Sequence, residues 1–178
     1  DQPYVDTVGQ SINESLTRVY NGYHGLFRFL GVNVPNGAEI DYAFISVRGL
    51  INTADTDSTY SKITAEDTAT STAFITYADY MARKHTTARV GWNIPSFAAN
   101  ATFYPCNITT VVQEVVDRVD WDSAGNMSIF FRDSLGYTGD GRRFDGASWS
   151  GVQVSPKLLI YWSYPAGSPV KRVKIRKL

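Results

Sequence analysis

The chain has 178 residues, 43% of them hydrophobic and 13% aromatic, with 11 Tyr, 9 Phe and 4 Trp. That length fits one sandwich domain with a real core, and this aromatic content excludes a disordered chain. Its 17 Lys and Arg are balanced by 17 Asp and Glu, so the basic surplus that drives nucleic-acid binding is missing.

The single cysteine, Cys106, excludes an intrachain disulfide framework and a Cys-rich zinc site. No apolar run approaches the roughly 20 residues that cross a bilayer, and no signal peptide is visible. The sequence opens on Asp1, as a processed product or a fragment would.

Residues 1–20 are polar with scattered Val and Ile, the pattern of an arm or a weak strand. Residues 26–30 place Phe27 and Phe29 on one face of a strand, opposite Arg28. A turn follows at Val34-Pro35-Asn36-Gly37, where Pro presets φ and Asn-Gly tolerates positive φ. Over 40–47, Ile40, Tyr42 and Phe44 alternate with Asp41, Ala43 and Ile45, which predicts a strand covered on both faces. A polar loop at 52–59 leads to a strand at 61–66 and an extended piece at 72–77. At 87–94, Val90, Trp92 and Ile94 oppose Arg89, Gly91 and Asn93, and Pro95 ends the strand.

One helix is predicted, over 107–120. Asn107 or Thr109 can cap it, and Ile108, Val111, Val112, Val115, Val116 and Val119 form its buried stripe. Strands resume at 126–132, with Met127, Ile129 and Phe131 on one face. Asp140-Gly141 is a hairpin turn into 142–145. In the strand at 157–163, Leu158, Ile160 and Trp162 face one way, Leu159 and Tyr161 the other. The whole predicts an all-β, antiparallel β-sandwich, jelly-roll-like, with one short helix.

Ordered landmarks carry a resemblance. They are Phe29-Leu30-Gly31-Val32-Asn33-Val34-Pro35-Asn36-Gly37-Ala38-Glu39-Ile40, Ile63-Thr64-Ala65-Glu66-Asp67 and Thr87-Ala88-Arg89-Val90-Gly91-Trp92. They continue through Val112-Gln113-Glu114-Val115-Val116-Asp117-Arg118 and Gly125-Asn126 to Ser155-Pro156-Lys157-Leu158-Leu159-Ile160-Tyr161. Over about residues 20–163 this resembles a β-sandwich module of bacterial surface and phage virion proteins, similar to DNRLRE-type and carbohydrate-binding-module-like domains. The resemblance implies a non-enzymatic role in adhesion, glycan contact or virion building, and supplies no catalytic set. The chain departs from it at Pro105-Cys106-Asn107, where relatives place an Asp. The stretch at 156–162 also looks like an antibody light chain, but one Cys cannot form that domain's buried pair.

For catalysis, His24 and His85 lie far apart in sequence, and no Gly-x-Ser-x-Gly elbow, phosphate loop or His-Glu-x-x-His motif occurs. A helix start beside Cys106 could lower its thiol pKa, against the plainer reading of a small buried core residue. Glu66 and Asp67 point to opposite strand faces, which disfavours a glycosidase pair. Asp133, Asp140 and Asp145, or Asp55 and Asp57, could hold a structural calcium, but turn formation accounts for them without one. No other cofactor is expected.

Tyr137, Trp149 and Tyr164, near Arg142 and Arg143, are the candidate glycan or partner contacts; the plainer reading has Trp149 plug the end of the sandwich and Tyr137 pack on its hairpin. In the tail, Val173 and Ile175 alternate with Arg172, Lys174 and Arg176. Such a strand can add to a neighbour's sheet edge as an assembly contact, or serve as an edge of its own domain. Acceptor sequons stand at Asn13, Asn100, Asn107 and Asn126.

The expected layout is an N-terminal arm or strand over 1–19, a sandwich over 20–164 and a basic tail over 165–178. The expected function is a non-enzymatic structural or adhesion protein, a capsid-decoration or tail component at a virion surface or in the extracellular space. It would make protein contacts as a homo-oligomer or with virion neighbours, without nucleic acid or a membrane span. The alternative is a carbohydrate-binding module of a secreted or cell-surface protein, and an enzyme with no visible site is the third reading.

Overall fold

The two-residue period of the sequence becomes a pair of facing antiparallel sheets. A computed structural model describes residues 4–6, 11–13, 16–19, 23–49, 59–95, 103–133, 142–145, 156–164 and 173–176. In chain order these form β1 (Tyr4–Asp6), β2 (Ser11–Asn13), β3 (Leu16–Val19), β4 (Tyr23–Phe29), β5 (Glu39–Arg48), β6 (Thr59–Ala65) and α1 (Tyr77–Ala82). They continue with β7 (Val90–Ile94), β8 (Phe103–Asn107), α2 (Thr109–Val116), β9 (Met127–Asp133), β10 (Arg142–Asp145), β11 (Lys157–Ser163) and β12 (Val173–Arg176). The larger sheet has six strands in the order β2-β1-β4-β9-β6-β7, and the smaller has four in the order β12-β11-β5-β8. β10 pairs with β3, and the sheets do not close into a barrel.

The core lies between the sheets. Phe27, Ile63, Ile129 and Phe131 of the larger sheet share it with Ala43, Ile45, Val47, Leu158, Ile160 and Trp162 of the smaller. Helix α2 adds Val111, Val112, Val115 and Val116. A second cluster on the outer face of the larger sheet joins Leu26 and Phe130 to Phe74 and Tyr80. Consequently all of Met127–Phe131 is buried, although its side chains alternate.

Five local features differ from the sequence reading. First, β5 changes phase: Tyr161 pairs with Tyr42 and Trp162 with Ile40, leaving Asp41 as a bulge. One extra residue flips the alternation, so Ala43, Ile45 and Val47 take the core face while Tyr42 is 45% exposed. Second, the extended piece expected at 72–77 is instead the lead-in to α1, a helix the sequence reading missed. Thr76 caps it, accepting from the Asp79 N–H at 3.1 Å. Third, α2 is shorter than 107–120: Val119, expected on the buried stripe, is 98% exposed beyond the helix end. Fourth, Ile108 holds the N-cap position, and Asn107 Oδ1 accepts from the Thr109 N–H at 3.0 Å.

Fifth, residues 103–107 form a strand that the reading missed because Pro105 interrupts it. β8 lies at the end of its sheet order, where a missing N–H is tolerated. The turn after β4 is as expected: Gly37 has φ +67 and the Ala38 N–H donates to Pro35 O at 3.2 Å. In the N-terminal stretch, β1 pairs with β4, which makes it a member of the larger sheet. The tail strand β12 pairs with β11 of its own chain, the own-domain alternative for that segment.

Candidate anion-binding groove

Side chains of β6 alternate between the core and the outer face of the larger sheet. Ser61, Ile63 and Ala65 are buried toward the core side, which leaves Lys62, Thr64 and Glu66 on the outer side. The ladder register sets Lys62 opposite both Arg132 on β9 and Gly91 on β7, and Thr64 opposite Phe130. Neighbours in register bring their side chains within about 5 Å of each other on the shared face. Two strands distant in sequence thus put two cations side by side.

The segment between β6 and β7 then crosses this face and returns. It is anchored at Glu66, which is 5% exposed. Glu66 accepts from Ser71 Oγ and from Arg83 Nη1, the latter at 2.8 Å. Arg83 also donates through Nε to Asp79 Oδ1 at 2.9 Å and lies 4.6 Å from the Phe74 ring centroid. On the way back, Thr86 Oγ1 accepts from the Ala65 N–H at 3.1 Å and donates to Ala88 O at 2.9 Å. This return seats His85 beside β6, with Nδ1 at 2.9 Å from Thr64 Oγ1 and its ring 4.4 Å from Phe130. Burial first, and the nearby Arg132 charge second, push the His85 pKa down to about 4, so the ring is neutral near pH 7.

The result is a groove of about 520 Å³ lined by Lys62, Thr64, His85, Thr86, Thr87, Arg89 and Arg132. Among the described residues no carboxylate lines it. Among the described residues none of its three cations forms an ion pair. Exposed Lys and Arg on a sheet face need no ligand to explain them. Three converging on one hollow with no acid is different, because each raises the electrostatic cost of the next. Guanidinium forks, an ammonium and the exposed Thr87 hydroxyl are a donor set that holds a carboxylate, sulfate or phosphate.

Residues 86–89 form a ridge between this groove and a second hollow of opposite character. That hollow, about 440 Å³, is lined by Asp67, Ala88, Thr110, Gln113, Glu114, Asp117 and Arg118. Glu114 fastens the ridge from that side, accepting from the Thr87 and Ala88 N–H groups at 2.6 and 2.5 Å. Its one cation, Arg118, is paired with Asp67 and Asp120.

The catalytic candidates Cys106, Glu66 and Asp67 lie among the described residues, as does a pair of Thr64 and His85. Cys106 is 6% exposed in β8, and burial pushes its thiol up to about 11, opposite to the lowering a helix start could have given. In the Thr64–His85 pair, Thr64 is buried and burial pushes the imidazole pKa down to about 4. Glu66 and Asp67 do diverge: Glu66 turns to Arg83 while Asp67 turns to Arg118.

Of the candidate contacts read from sequence, Tyr137, Trp149 and Arg172 lie outside the described residues, as do Asp55, Asp57 and Asp140. Arg142 and Arg143 stand in β10 opposite Val19 and Arg18. Tyr164 is half-buried, its ring 5.1 Å edge-on from buried Trp162. Within β12, Lys174 stands opposite Tyr161, Ile175 opposite Ile160, Arg176 opposite Leu159 and Val173 opposite Trp162. No group of three metal-ligating side chains converges among the described residues. Sequence reasoning misses Lys62, Thr64, His85, Arg89 and Arg132 as a site; its one signal is Arg89, which lies opposite Val90, Trp92 and Ile94 in the predicted strand.

Fold and groove together define an all-β protein of two open antiparallel sheets with a cationic hollow on the outer face of the larger one. A scan against protein-family models gives no match for the chain, and a search of curated proteins gives none either. Among the described residues no helix is long and apolar enough to cross a membrane.

Proposed function

We propose that this chain is a non-enzymatic structural or adhesion β-sandwich, a virion component of the capsid-decoration or tail kind. It makes its contact by seating an acidic group of a partner in the groove of Lys62, Arg89 and Arg132. The observation that carries this reading is the set of three cations in one hollow, without an ion-pair partner among the described residues. A net charge of zero argues that they serve local recognition, since a uniformly basic surface would attract anions everywhere. The resemblance to surface and virion modules points the same way.

The second reading, a carbohydrate-binding module, is favoured by Tyr60. A Cβ added at Gly91 would lie 1.8 Å from Tyr60 Oη, so the phenol end rests against the strand beside the groove.

A carboxylated dextran surface tests the groove as the contact. The wild-type chain is expected to be retained and then released by salt, while a Lys62→Glu/Arg132→Glu variant of unchanged circular dichroism flows through. Equal retention of both proteins would show that other basic residues, such as those of the tail, make the contact.

A further inference from the structure

We infer that the group seated in the groove belongs to an acidic saccharide, a sugar bearing a carboxylate or a sulfate ester. This rests on the reading of the groove as a contact site and narrows what the site takes. Three observations on one sheet face carry it.

The first is an aromatic surface beside the cations. Tyr60 and Lys62 are two residues apart on β6 and therefore share its outer face. Gly91, across from Lys62, does not have the left-handed φ that would call for glycine. What it provides is room, because any side chain there would displace the Tyr60 phenol. Half-buried Tyr60 thus has a floor beside the groove, and the C–H face of a pyranose ring can pack on an aromatic ring held this way.

The second is the mixture of donors within the groove. Arg89, Arg132 and Lys62 match a carboxylate or sulfate, and the exposed Thr87 side chain offers a hydroxyl to a sugar hydroxyl. The groove volume of about 520 Å³ falls within the ~300–1,000 Å³ of small-ligand sites.

The third is the acidic hollow across the 86–89 ridge. A single-stranded nucleic acid could also use an aromatic and a basic groove, but its phosphates continue in both directions. Here Glu114 and Asp117 stand beyond the ridge, with Asp67 held by Arg118, and repel a continuous polyanion. Local charge on a sugar avoids them. An acidic peptide would satisfy the cations but leave Tyr60 and its glycine floor without a purpose.

The test is calorimetric titration of the full chain with four probes: an oligogalacturonate or chondroitin sulfate oligosaccharide, neutral maltohexaose, oligoglutamate and oligo-dT. The acidic sugars are expected to bind and maltohexaose not to. Arg132→Ala should weaken that binding about tenfold or more, as loss of a charge-assisted hydrogen bond does. Arg132→Lys should restore part of it. Tyr60→Ala and Gly91→Ala, with circular dichroism unchanged, should each weaken it several-fold. If oligoglutamate binds as well and the Tyr60 and Gly91 variants are neutral, the groove stands as a contact site and the sugar assignment falls. Tighter binding of oligo-dT overturns the sugar assignment as well. No binding by any acidic probe overturns both.

Discussion

Replacing Arg83 with alanine is expected to destabilise the fold by about 3 kcal/mol or more, read as a lower urea midpoint with an unchanged slope. Glu66 is 5% exposed, and Arg83, whose side chain is 13% exposed, is its cationic partner. Ser71 Oγ, which is also 2.6 Å from Ser128 Oγ, is then left as the neighbour of a buried carboxylate. Truncation strands that charge, and a stranded buried charge costs far more than the net worth of the pair. The same change frees the segment over β9, because Arg83 also holds Asp79 and packs on Phe74. Adding Glu66→Gln to Arg83→Ala should recover part of the loss by removing the charge.

There is a pH signature too. The hydrogen bond from Arg83 holds the Asp79 carboxyl below its ordinary 3.8, against the opposing effect of burial, with the Ile75 N–H helping. A depressed carboxyl contributes stability above its unfolded value and loses it as pH falls through the folded value. Arg83→Ala should therefore flatten the wild-type decline of stability below about pH 4. An unchanged urea midpoint in Arg83→Ala would mean that Glu66 is hydrated.

The second large effect is expected at Phe131. Its ring is fully buried, edge-on to Phe27 with centroids 5.4 Å apart, and packs at 5.9 Å from Phe144 and 6.1 Å from Trp92. It joins β9 to three other strands at once. Phe131→Ala should cost about 3–5 kcal/mol, a large part of the ~5–15 kcal/mol that holds a typical domain. Phe131→Leu should cost much less, since it keeps most of the volume. If alanine were tolerated within about 1 kcal/mol, the two-sheet core described above would be misplaced.

Sequence patterning shows which positions are apolar but not the register that joins them. Leu158, Ile160 and Trp162 alternate without interruption, and β11 carries them inward as read. In β5 the same reasoning predicts a strand covered on both faces, yet Tyr42 is 45% exposed, because the bulge at Asp41 depends on pairing with β11 and leaves no local mark. Pro105 conceals β8, whose place at the end of a sheet order is a tertiary fact. Helix α1 is concealed by its shortness and by its dependence on Phe74, Tyr80 and Phe130 packing together.

The groove follows the same logic. Lys62 and Arg132 stand 70 positions apart and meet only through the β6–β9 register. Arg89 and His85 arrive with a returning loop whose anchor, Glu66 with Arg83, looks in sequence like two ordinary surface charges. Gly91 was the legible clue: a glycine inside a clean strand signals a close approach by something else.

The most direct test of the groove as an acid-binding contact site is an NMR titration of the ¹⁵N-labelled full chain with galacturonate oligomers. Saturable shifts are expected for residues 60–64, 85–89 and 132, together with the Arg132 Nε–H and the His85 ring, and they should be lost in Lys62→Glu/Arg132→Glu. Shifts confined to the basic tail, or no saturable shift at any residue, would contradict the account.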